Sequence, residues 1–298
     1  MYRICLIWGT SAFWQFWKRY FESRGFPVTV TSRSTEISPE RAVQEADIII
    51  FSVSIRSTNH VIETLVPQIP PWKLVLDFTG IKKEASERLK LYTSGEVVAT
   101  HPMFGPWVKS LRDQNIAYDP IAPWEKWHVL FDLWKSDGAN MIELSSDHHD
   151  ELVAIVQSSV HILNLILGHL LKKRGINVEE LLSIATPNSR MQLCILGRFL
   201  NQNAGLYTDM QVYNSVYRDE ILPEILHYLE EVTDTIKSHD TNLFEAEFEA
   251  IRRTLGSWFL HAALEISESF DSTIQAYFKS KKNTTPWDMW KKDVWEKW

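Results

Sequence analysis

The order of apolar and polar residues divides the chain into two parts with different periods. In the first part, short apolar runs alternate with amphipathic segments. The run D-I-I-I-F-S-V at 47–53 is apolar almost throughout, which is typical of a strand covered on both faces. Alternation of this kind predicts an α/β fold: a Rossmann-like domain with a parallel sheet and helices on both of its faces.

The predicted elements of this part follow the apolar pattern and the positions of glycine and proline. The expected strands are 3–7, 28–31, 47–53, 74–78, 97–99 and 139–144. The expected helices are 12–23, 39–46, 60–66, 83–90 and 126–133.

After about residue 146 the apolar positions recur with a period of about 3.6 residues, and glycine and proline become rare. This pattern predicts an all-helical domain, with helices at 147–173, 178–183, 189–200, 206–239 and 242–278. We therefore divide the chain into an α/β domain at 1–146, a helical domain at 147–280 and a Trp-rich tail at 281–298, which we expect to dock on a surface through its indoles.

Composition narrows the class of protein. The 298 residues carry a formal net charge of −7, which argues against nucleic-acid or anionic-membrane binding. Cys5 and Cys194 lie in apolar sequence, so we predict buried thiols and no metal site. The apolar stretch 162–171 contains Asn164 and His169, and we do not expect it to span a membrane. A cytoplasmic protein is the resulting expectation.

The opening I-C-L-I-W-G-T-S predicts the strand and turn of a nucleotide-binding unit. A dinucleotide turn needs three glycines, and their positions here hold Gly9, Ser11 and Trp14. Gly9 allows the bend and Ser11 adds little bulk, whereas an indole at Trp14 must push the helix away or turn outward. Gly9, Thr10 and Ser11 are the cofactor-binding candidates in this turn.

A second group of cofactor-binding candidates follows the next strands. Ser32, Arg33 and Ser34 stand where NAD-binding proteins place a carboxylate for the ribose hydroxyls. A guanidinium with hydroxyls suits a 2′-phosphate and therefore NADP, and an ordinary polar loop is the alternative. Ser52 and Val53, at the end of the third strand, complete the set.

The hexapeptide H-P-M-F-G-P at 101–106 places an imidazole at the carboxyl end of the sheet. Together with S-S-D-H-H-D-E-L, L-L-S-I-A-T-P-N-S-R-M-Q-L-C-I-L-G-R-F and L-Y-T-D-M, it gives the chain a resemblance to the prephenate/arogenate dehydrogenase family, in register over 4–278. The resemblance implies a nucleotide-binding domain followed by a helical domain that forms a homodimer.

The resemblance also implies an NADP-linked oxidative decarboxylation of a cyclohexadienyl acid, in tyrosine-type aromatic metabolism. His101 then matches the catalytic base, and Arg198 matches the arginine that holds the substrate carboxylate. Arg190, His161 and Lys82 are further substrate-binding candidates. A structural ion pair is the alternative for Arg190, and a satisfied core histidine is the alternative for His161.

One more position complicates that assignment, because Gly80 replaces the serine that in the family hydrogen-bonds the catalytic histidine. His149 matches a histidine position of the family, and for it we favour a helix-start or surface role. A repurposed scaffold therefore stays open, either as an S-adenosylmethionine-dependent methyltransferase or with no cofactor, acting on a small anionic aromatic substrate. A non-catalytic binding protein is the third account.

Overall fold

A computed structural model of the chain describes residues 1–8 and 13–281. The turn candidates Gly9, Thr10 and Ser11 lie outside the described residues, as does the predicted tail from residue 282 onward.

Within the described residues, seven strands form a single sheet in the order β2-β1-β3-β4-β5-β6-β7. They are β1 Ile4–Trp8, β2 Val28–Thr31, β3 Ile48–Ser52, β4 Leu74–Asp77, β5 Glu96–Pro102, β6 Asn115–Ala122 and β7 Asn140–Glu143. The strands β1 to β5 are parallel, and β1 pairs with both β2 and β3. This order confirms the predicted doubly wound fold.

The strand β6 was not predicted from the sequence. It pairs antiparallel with β5, with His101 opposite Ala117, and parallel with β7. Its sequence contains Asp119 and Pro120, residue types that are depleted in strands. The sheet is therefore mixed beyond β5, whereas β1 to β5 are parallel throughout.

Helix α1, Phe13–Ser23, packs on the sheet through aromatic side chains. Phe16, Trp17 and Phe21 are buried, and the ring centroid of Trp17 lies 4.8 Å from that of Phe78. Trp14 is only partly buried. The helix thus contacts the sheet through the face that carries Trp17, while the indole of Trp14 stays partly accessible.

Four more helices, α2 to α5, accompany the sheet, and eight lie in the second part of the described chain. The first four are α2 Pro39–Glu45, α3 Ile55–Leu65, α4 Lys83–Tyr92 and α5 Glu125–Ser136. The others are α6 Ser146–Val153, α7 Val160–Arg174, α8 Val178–Ile184, α9 Pro187–Leu200, α10 Ala204–Tyr213, α11 Leu222–Ser238, α12 Thr241–Leu255 and α13 Ser257–Lys281.

Two of the long helices predicted from the periodicity are each divided in the structure. The segment 206–239 breaks after Tyr213, where Asn214 accepts a hydrogen bond from the amide of Tyr217 through its side chain. The segment 242–278 breaks at Gly256, whose φ of 75° favours glycine. The 3.6-residue recurrence of apolar positions does not reveal such breaks, because the apolar faces of the two successive helices have nearly the same phase.

The chain forms two compact units. Unit 1 comprises Met1–Val160 and Ala204–Pro223, and unit 2 comprises His161–Asn203 and the chain from Glu224 onward. In unit 1, apolar clusters cover both faces of the sheet. The domain limits expected from the sequence, 1–146 and 147–280, stay a prediction.

The run Ser146–Arg174 is long and apolar enough, by length and composition alone, to cross a membrane. That is weak evidence, because the helices of protein cores and subunit interfaces share these properties. Within unit 2, Asn164 of this run is 1% exposed and accepts a hydrogen bond from Gln192 at 3.1 Å. An amide bonded in this way belongs to packing between protein helices.

The thiol of Cys194 was predicted to be buried. In the structure Cys194 is only partly buried.

Candidate functional site

The carboxyl ends of the parallel strands form the edge of the sheet where open α/β folds bind ligands. The strand order reverses between β1 and β3, and at that point Trp8 lies opposite Ser52. Ser52 and Val53 are both partly exposed. The structure thus places these two cofactor-binding candidates at the topological switch point.

The loop after β2 is held together by its own hydroxyl groups. The Ser32 amide donates to Thr35 Oγ1 at 2.9 Å, and the Ser34 amide donates to Ser32 Oγ at 3.2 Å. Arg33 is exposed, and no carboxylate within the described part of the chain pairs with it. A fixed turn that carries a cation and hydroxyls is suited to binding an anion.

His101 is the sixth residue of β5 and is partly exposed. Its Nδ1 lies 2.9 Å from Nε2 of His149, and the two rings are inclined at 66°. Burial, His149 and the nearby Lys82 ammonium lower the pKa of His101 well below its ordinary value. The ring is therefore neutral at physiological pH, as a general base must be.

His149 is not at the surface, so of the helix-start and surface roles favoured from the sequence only the helix-start position matches the structure. It is 3% exposed in α6, and its Nδ1 lies 2.8 Å from Oδ1 of Asp150. Asp150 in turn accepts the backbone N–H groups of Lys82 at 2.8 Å and Lys83 at 2.9 Å, where α4 begins. The segment S-S-D-H-H-D-E-L thus supplies two residues to the neighbourhood of His101.

Lys82 is buried beneath this cluster. It is 2% exposed, and its ammonium donates to Asp77 and, at 2.6 Å, to the carbonyl of Thr100. Burial lowers the pKa of Lys82 and raises the pKa of Asp77, and their mutual contact opposes both changes. The ammonium is thus hydrogen-bonded to the end of β4 and to the residue of β5 that precedes His101.

Gly80 lies against the other edge of the imidazole. A Cβ atom built on Gly80 would stand 3.6 Å from both Cε1 and Nε2 of His101, an ordinary van der Waals distance. The φ angle of Gly80 lies outside the left-handed region, so a side chain is compatible with its backbone. The glycine is therefore not required by the fold, and it leaves room beside Nε2.

An ion pair between α3 and α10 was not predicted from the sequence. Arg56, next to the end of β3, donates through Nε and Nη2 to Asp209, at 2.8 and 2.5 Å from Oδ1. Asp209 is 2% exposed and belongs to L-Y-T-D-M, one of the segments that carry the family resemblance. A buried aspartate inside such a segment was the available signal. This ion pair joins α10 to α3 within unit 1, and α3 follows the strand that ends at Ser52.

Unit 2 contains the three other substrate-binding candidates. Arg190 forms a bidentate ion pair with Asp271 and thereby links α9 to α13. Its Nε lies 2.8 Å from Oδ1 of Asp271, and its Nη2 lies 3.1 Å from Oδ2. His161 stacks on Phe199 with centroids 5.1 Å apart, and burial lowers the pKa of His161 to about 4. Both geometries correspond to the structural alternatives considered above.

Arg198 differs from Arg190 in its surroundings. It is exposed on α9, and none of the described carboxylates forms an ion pair with it. It lines a cavity of about 600 Å³ in unit 2, together with the mostly apolar residues Val178, Leu182, Leu193, Cys194, Gly197, Asn201, Tyr277 and Phe278. A cation beside an apolar cavity is able to bind a carboxylate that carries an apolar ring.

No group of three or more His, Cys, Asp or Glu side chains among the described residues is arranged to hold a metal ion.

Comparisons with known proteins agree over most of the chain. The sequence model described as "Prephenate dehydrogenase, nucleotide-binding domain" matches residues 30–140, and the one described as "Prephenate dehydrogenase, dimerization domain" matches residues 145–250. The first match begins after the altered turn and includes the segment around His101.

Curated relatives show the same likeness. The probable arogenate/prephenate dehydrogenase of Methanocaldococcus jannaschii is 29% identical over 273 residues, which cover 85% of this chain and 61% of that protein. The T-protein of Haemophilus influenzae is 26% identical, over 87% of this chain and 68% of that protein. The chain thus spans only 61% of the length of the Methanocaldococcus relative.

Solved structures share the fold. Synechocystis arogenate dehydrogenase superposes with a TM-score of 0.64 at 16% identity, over 84% of this chain and 98% of that one. Prephenate dehydrogenase from A. aeolicus, in complex with hydroxyphenyl propionate and NAD⁺, gives 0.60 at 16% identity, over 85% and 98%.

Proposed function

Because the chain belongs to the prephenate/arogenate dehydrogenase family, we propose that it oxidises the ring hydroxyl of a cyclohexadienyl acid such as prephenate or arogenate, with loss of carbon dioxide. The observation that carries this proposal is His101, neutral and partly exposed at the carboxyl end of β5. In this role His101 accepts the hydroxyl proton as the ring becomes aromatic. The relatives named above are dehydrogenases or a T-protein, and none of their names refers to methyl transfer.

The test of this proposal compares two histidine variants. His101→Asn should abolish the reduction of NADP⁺ or NAD⁺ in the presence of prephenate or arogenate, because the side-chain amide cannot accept the proton. His128→Asn, at an exposed histidine of α5, is the matched control and should leave turnover unchanged. A His101→Asn variant as active as the unchanged protein would remove His101 from the mechanism.

We propose NADP as the cofactor, bound across the switch point. The hydroxyl-laced turn with exposed Arg33 fits a 2′-phosphate, and no described carboxylate neutralises the guanidinium. NADP supplies the hydride acceptor when bound. The structural neighbour from A. aeolicus was solved with NAD⁺, so the preference must be measured.

Arg33→Ala separates the two nucleotides. It should weaken NADP⁺ binding by about tenfold or more, the scale for losing a charge-assisted hydrogen bond, and should leave NAD⁺ binding unchanged. Arg41→Ala is the matched control, since Arg41 is exposed but pairs with Glu45. Calorimetric titration gives both affinities, and an unchanged ratio of the two would exclude a role of Arg33 in selecting the cofactor.

For the substrate we propose that Arg198 holds a carboxylate, supported by its exposure and by its place at an apolar cavity. Arg190, paired with Asp271, and His161, stacked on Phe199, are better suited to hold unit 2 together. Lys82, buried against Asp77, is better suited to support His101 than to touch substrate.

We further propose a cytoplasmic homodimer formed through the helical part of the chain. The match to a dimerization-domain model supports the dimer. Unit 2 also exposes large apolar side chains on its helices, among them Leu226 and Ile236 of α11, Phe248 of α12, and Leu264 and Phe270 of α13. A second copy of the chain would cover such a surface.

A further inference from the structure

We propose that His149 and Asp150 are positioning residues that hold the ring of His101 in the tautomer whose Nε2 carries the free lone pair. They would thereby orient the imidazole in a site where Gly80 has no side chain to do so. The inference rests on the proposed function, in which His101 is the general base. It is carried by an unbroken line of hydrogen bonds that ends at a fixed carboxylate.

The line begins at Asp150, which acts only as an acceptor. Its Oδ1 accepts the Lys82 amide and its Oδ2 accepts the Lys83 amide, so backbone donors occupy both oxygens. These amides open α4, and a helix N-terminus favours a negative charge. Both oxygens of Asp150 thus act as acceptors, and its third contact, with Nδ1 of His149 at 2.8 Å, requires that nitrogen to carry the proton.

The proton on Nδ1 of His149 determines the rest of the line. In a neutral imidazole the other nitrogen is an acceptor, so Nε2 of His149 must receive a hydrogen bond. Its partner at 2.9 Å is Nδ1 of His101, which therefore donates. The remaining nitrogen of His101, Nε2, is left unprotonated, and it is the nitrogen that lies beside Gly80.

The alternative arrangement places a positive charge on His149 and reverses the tautomer of His101. It would put a positive charge on His149, which is 3% exposed, in a site that already buries the Lys82 ammonium, while Asp150 already accepts from two amides. Asp77 is bound to Lys82, and Asp119 accepts both the amide and the hydroxyl of Ser146. Neither carboxylate is therefore available to His149, and the neutral arrangement is favoured.

The tautomer can be measured without any turnover. In protein labelled with ¹⁵N-histidine, long-range ¹H–¹⁵N correlations distinguish protonated from unprotonated ring nitrogens, and the His101→Asn spectrum assigns the signals. We expect His101 to be protonated at Nδ1. His149→Leu should abolish that preference. His149→Gln, whose amide oxygen can accept the same hydrogen bond, should retain it. Protonation of His101 at Nε2 in the unchanged protein would overturn the inference.

Kinetics then show whether the position matters. His149→Leu should lower kcat by on the order of 100-fold with little change in KM, because the base is held in the wrong tautomer. His149→Gln should restore most of kcat, and Asp150→Asn should resemble His149→Leu, provided that the melting temperatures stay near that of the unchanged protein. Equal losses in His149→Leu and His149→Gln would show a structural role only and would contradict the inference.

The two measurements keep the inference apart from the proposed function. If the tautomer responds to His149 but prephenate and arogenate are not oxidised, the line of hydrogen bonds stands and the proposed function fails. If turnover depends on His101 while its tautomer does not respond to His149, the proposed function stands and this inference fails.

Discussion

At the scale of single residues, the absence of a side chain at Gly80 decides how His101 is held. One edge of the imidazole is fixed through Nδ1, whereas the glycine beside Nε2 offers no side chain to hold the other edge. The site is thus supported from one side. The fold does not require this arrangement, because a Cβ atom fits at position 80 without a clash.

Gly80→Ser should therefore raise activity. A serine hydroxyl would come within reach of Nε2, hold the ring from its second edge, and pass its own proton to Nε2 as it takes the proton of the substrate hydroxyl, at a gain of about 1 kcal/mol for a neutral hydrogen bond, or roughly fivefold in kcat/KM. Gly80→Ala adds the same Cβ without the hydroxyl and is the control. Steady-state kinetics of both variants measure the effect, and equal activities would show that the hydroxyl contributes nothing.

The pH dependence of activity should follow His101. A general base works only when it is unprotonated, and burial, His149 and Lys82 all lower the pKa of His101. We expect kcat/KM to be constant above the ordinary histidine pKa of about 6.5 and to fall only below it. A profile measured from about pH 4.5 to 8 provides the test, and an acidic limb centred above pH 7 would contradict the assignment.

Local sequence indicated which residue types to expect but not their partners. His101 was predicted because a strand ends at a distinctive hexapeptide, and Arg33 because the expected carboxylate is missing. The contact of His149 with His101 was not predicted, since it joins residues 48 positions apart. No periodicity reports such a contact. Arg190 likewise meets Asp271 across 81 positions.

At the scale of elements, α5 shows how a buried carboxylate replaces a local cap. The residue before its first turn is Trp124, whose side chain cannot accept a hydrogen bond. Glu96, at the start of β5 and 1% exposed, accepts instead from the amides of Trp124 at 2.8 Å and Trp127 at 2.6 Å. The strand that carries His101 is therefore tied at its first residue to the start of α5.

Glu96→Ala should lower the free energy of unfolding by about 2 kcal/mol, because it leaves buried amides without their charged acceptor. Glu87→Ala, at an exposed position of α4, is the control and should change it by less than about 0.5 kcal/mol. Urea unfolding followed by Trp fluorescence measures both. Equal effects of the two substitutions would refute the capping role.

The predicted elements are most accurate where the sequence is most regular. The strands β1 to β5 were all predicted, because continuous β-branched and apolar runs of that length are typical of strands. β6 was missed since Asp119 and Pro120 interrupt its pattern, and its pairing with β5 supplies the order that local propensity lacks.

At the scale of the whole molecule, the two compact units bury apolar residues very differently. The sheet of unit 1 has clusters of fully buried side chains on both faces. In unit 2 the helices α11 and α12 bury none of theirs, and Phe248 is 55% exposed. Helices that bury so little apolar surface gain too little free energy of folding to be stable alone. This supports the proposal of a dimer.

The melting temperature should accordingly depend on protein concentration. Dilution by a hundredfold should lower it by roughly 5 °C, because dissociation exposes the apolar helices and unfolding becomes linked to association. Phe248→Glu should lower the melting temperature at every concentration, because it places a charge in the apolar surface that the second copy covers. Val129→Glu, at an exposed apolar position of α5 in unit 1, should not. Scanning calorimetry at several concentrations is the measurement, and a melting temperature independent of concentration would argue against a dimer.

The position of His149 and Asp150 along the chain has a consequence for recombination between relatives. Both residues belong to α6, which follows the last strand of the sheet, yet they complete the surroundings of an imidazole on β5. A chimera whose crossover falls between residues 102 and 149 would take its imidazole from one parent and the support of that imidazole from the other. The segments around His101 and Asp150 are therefore inherited best as one block, and crossovers after residue 160 would keep that block intact.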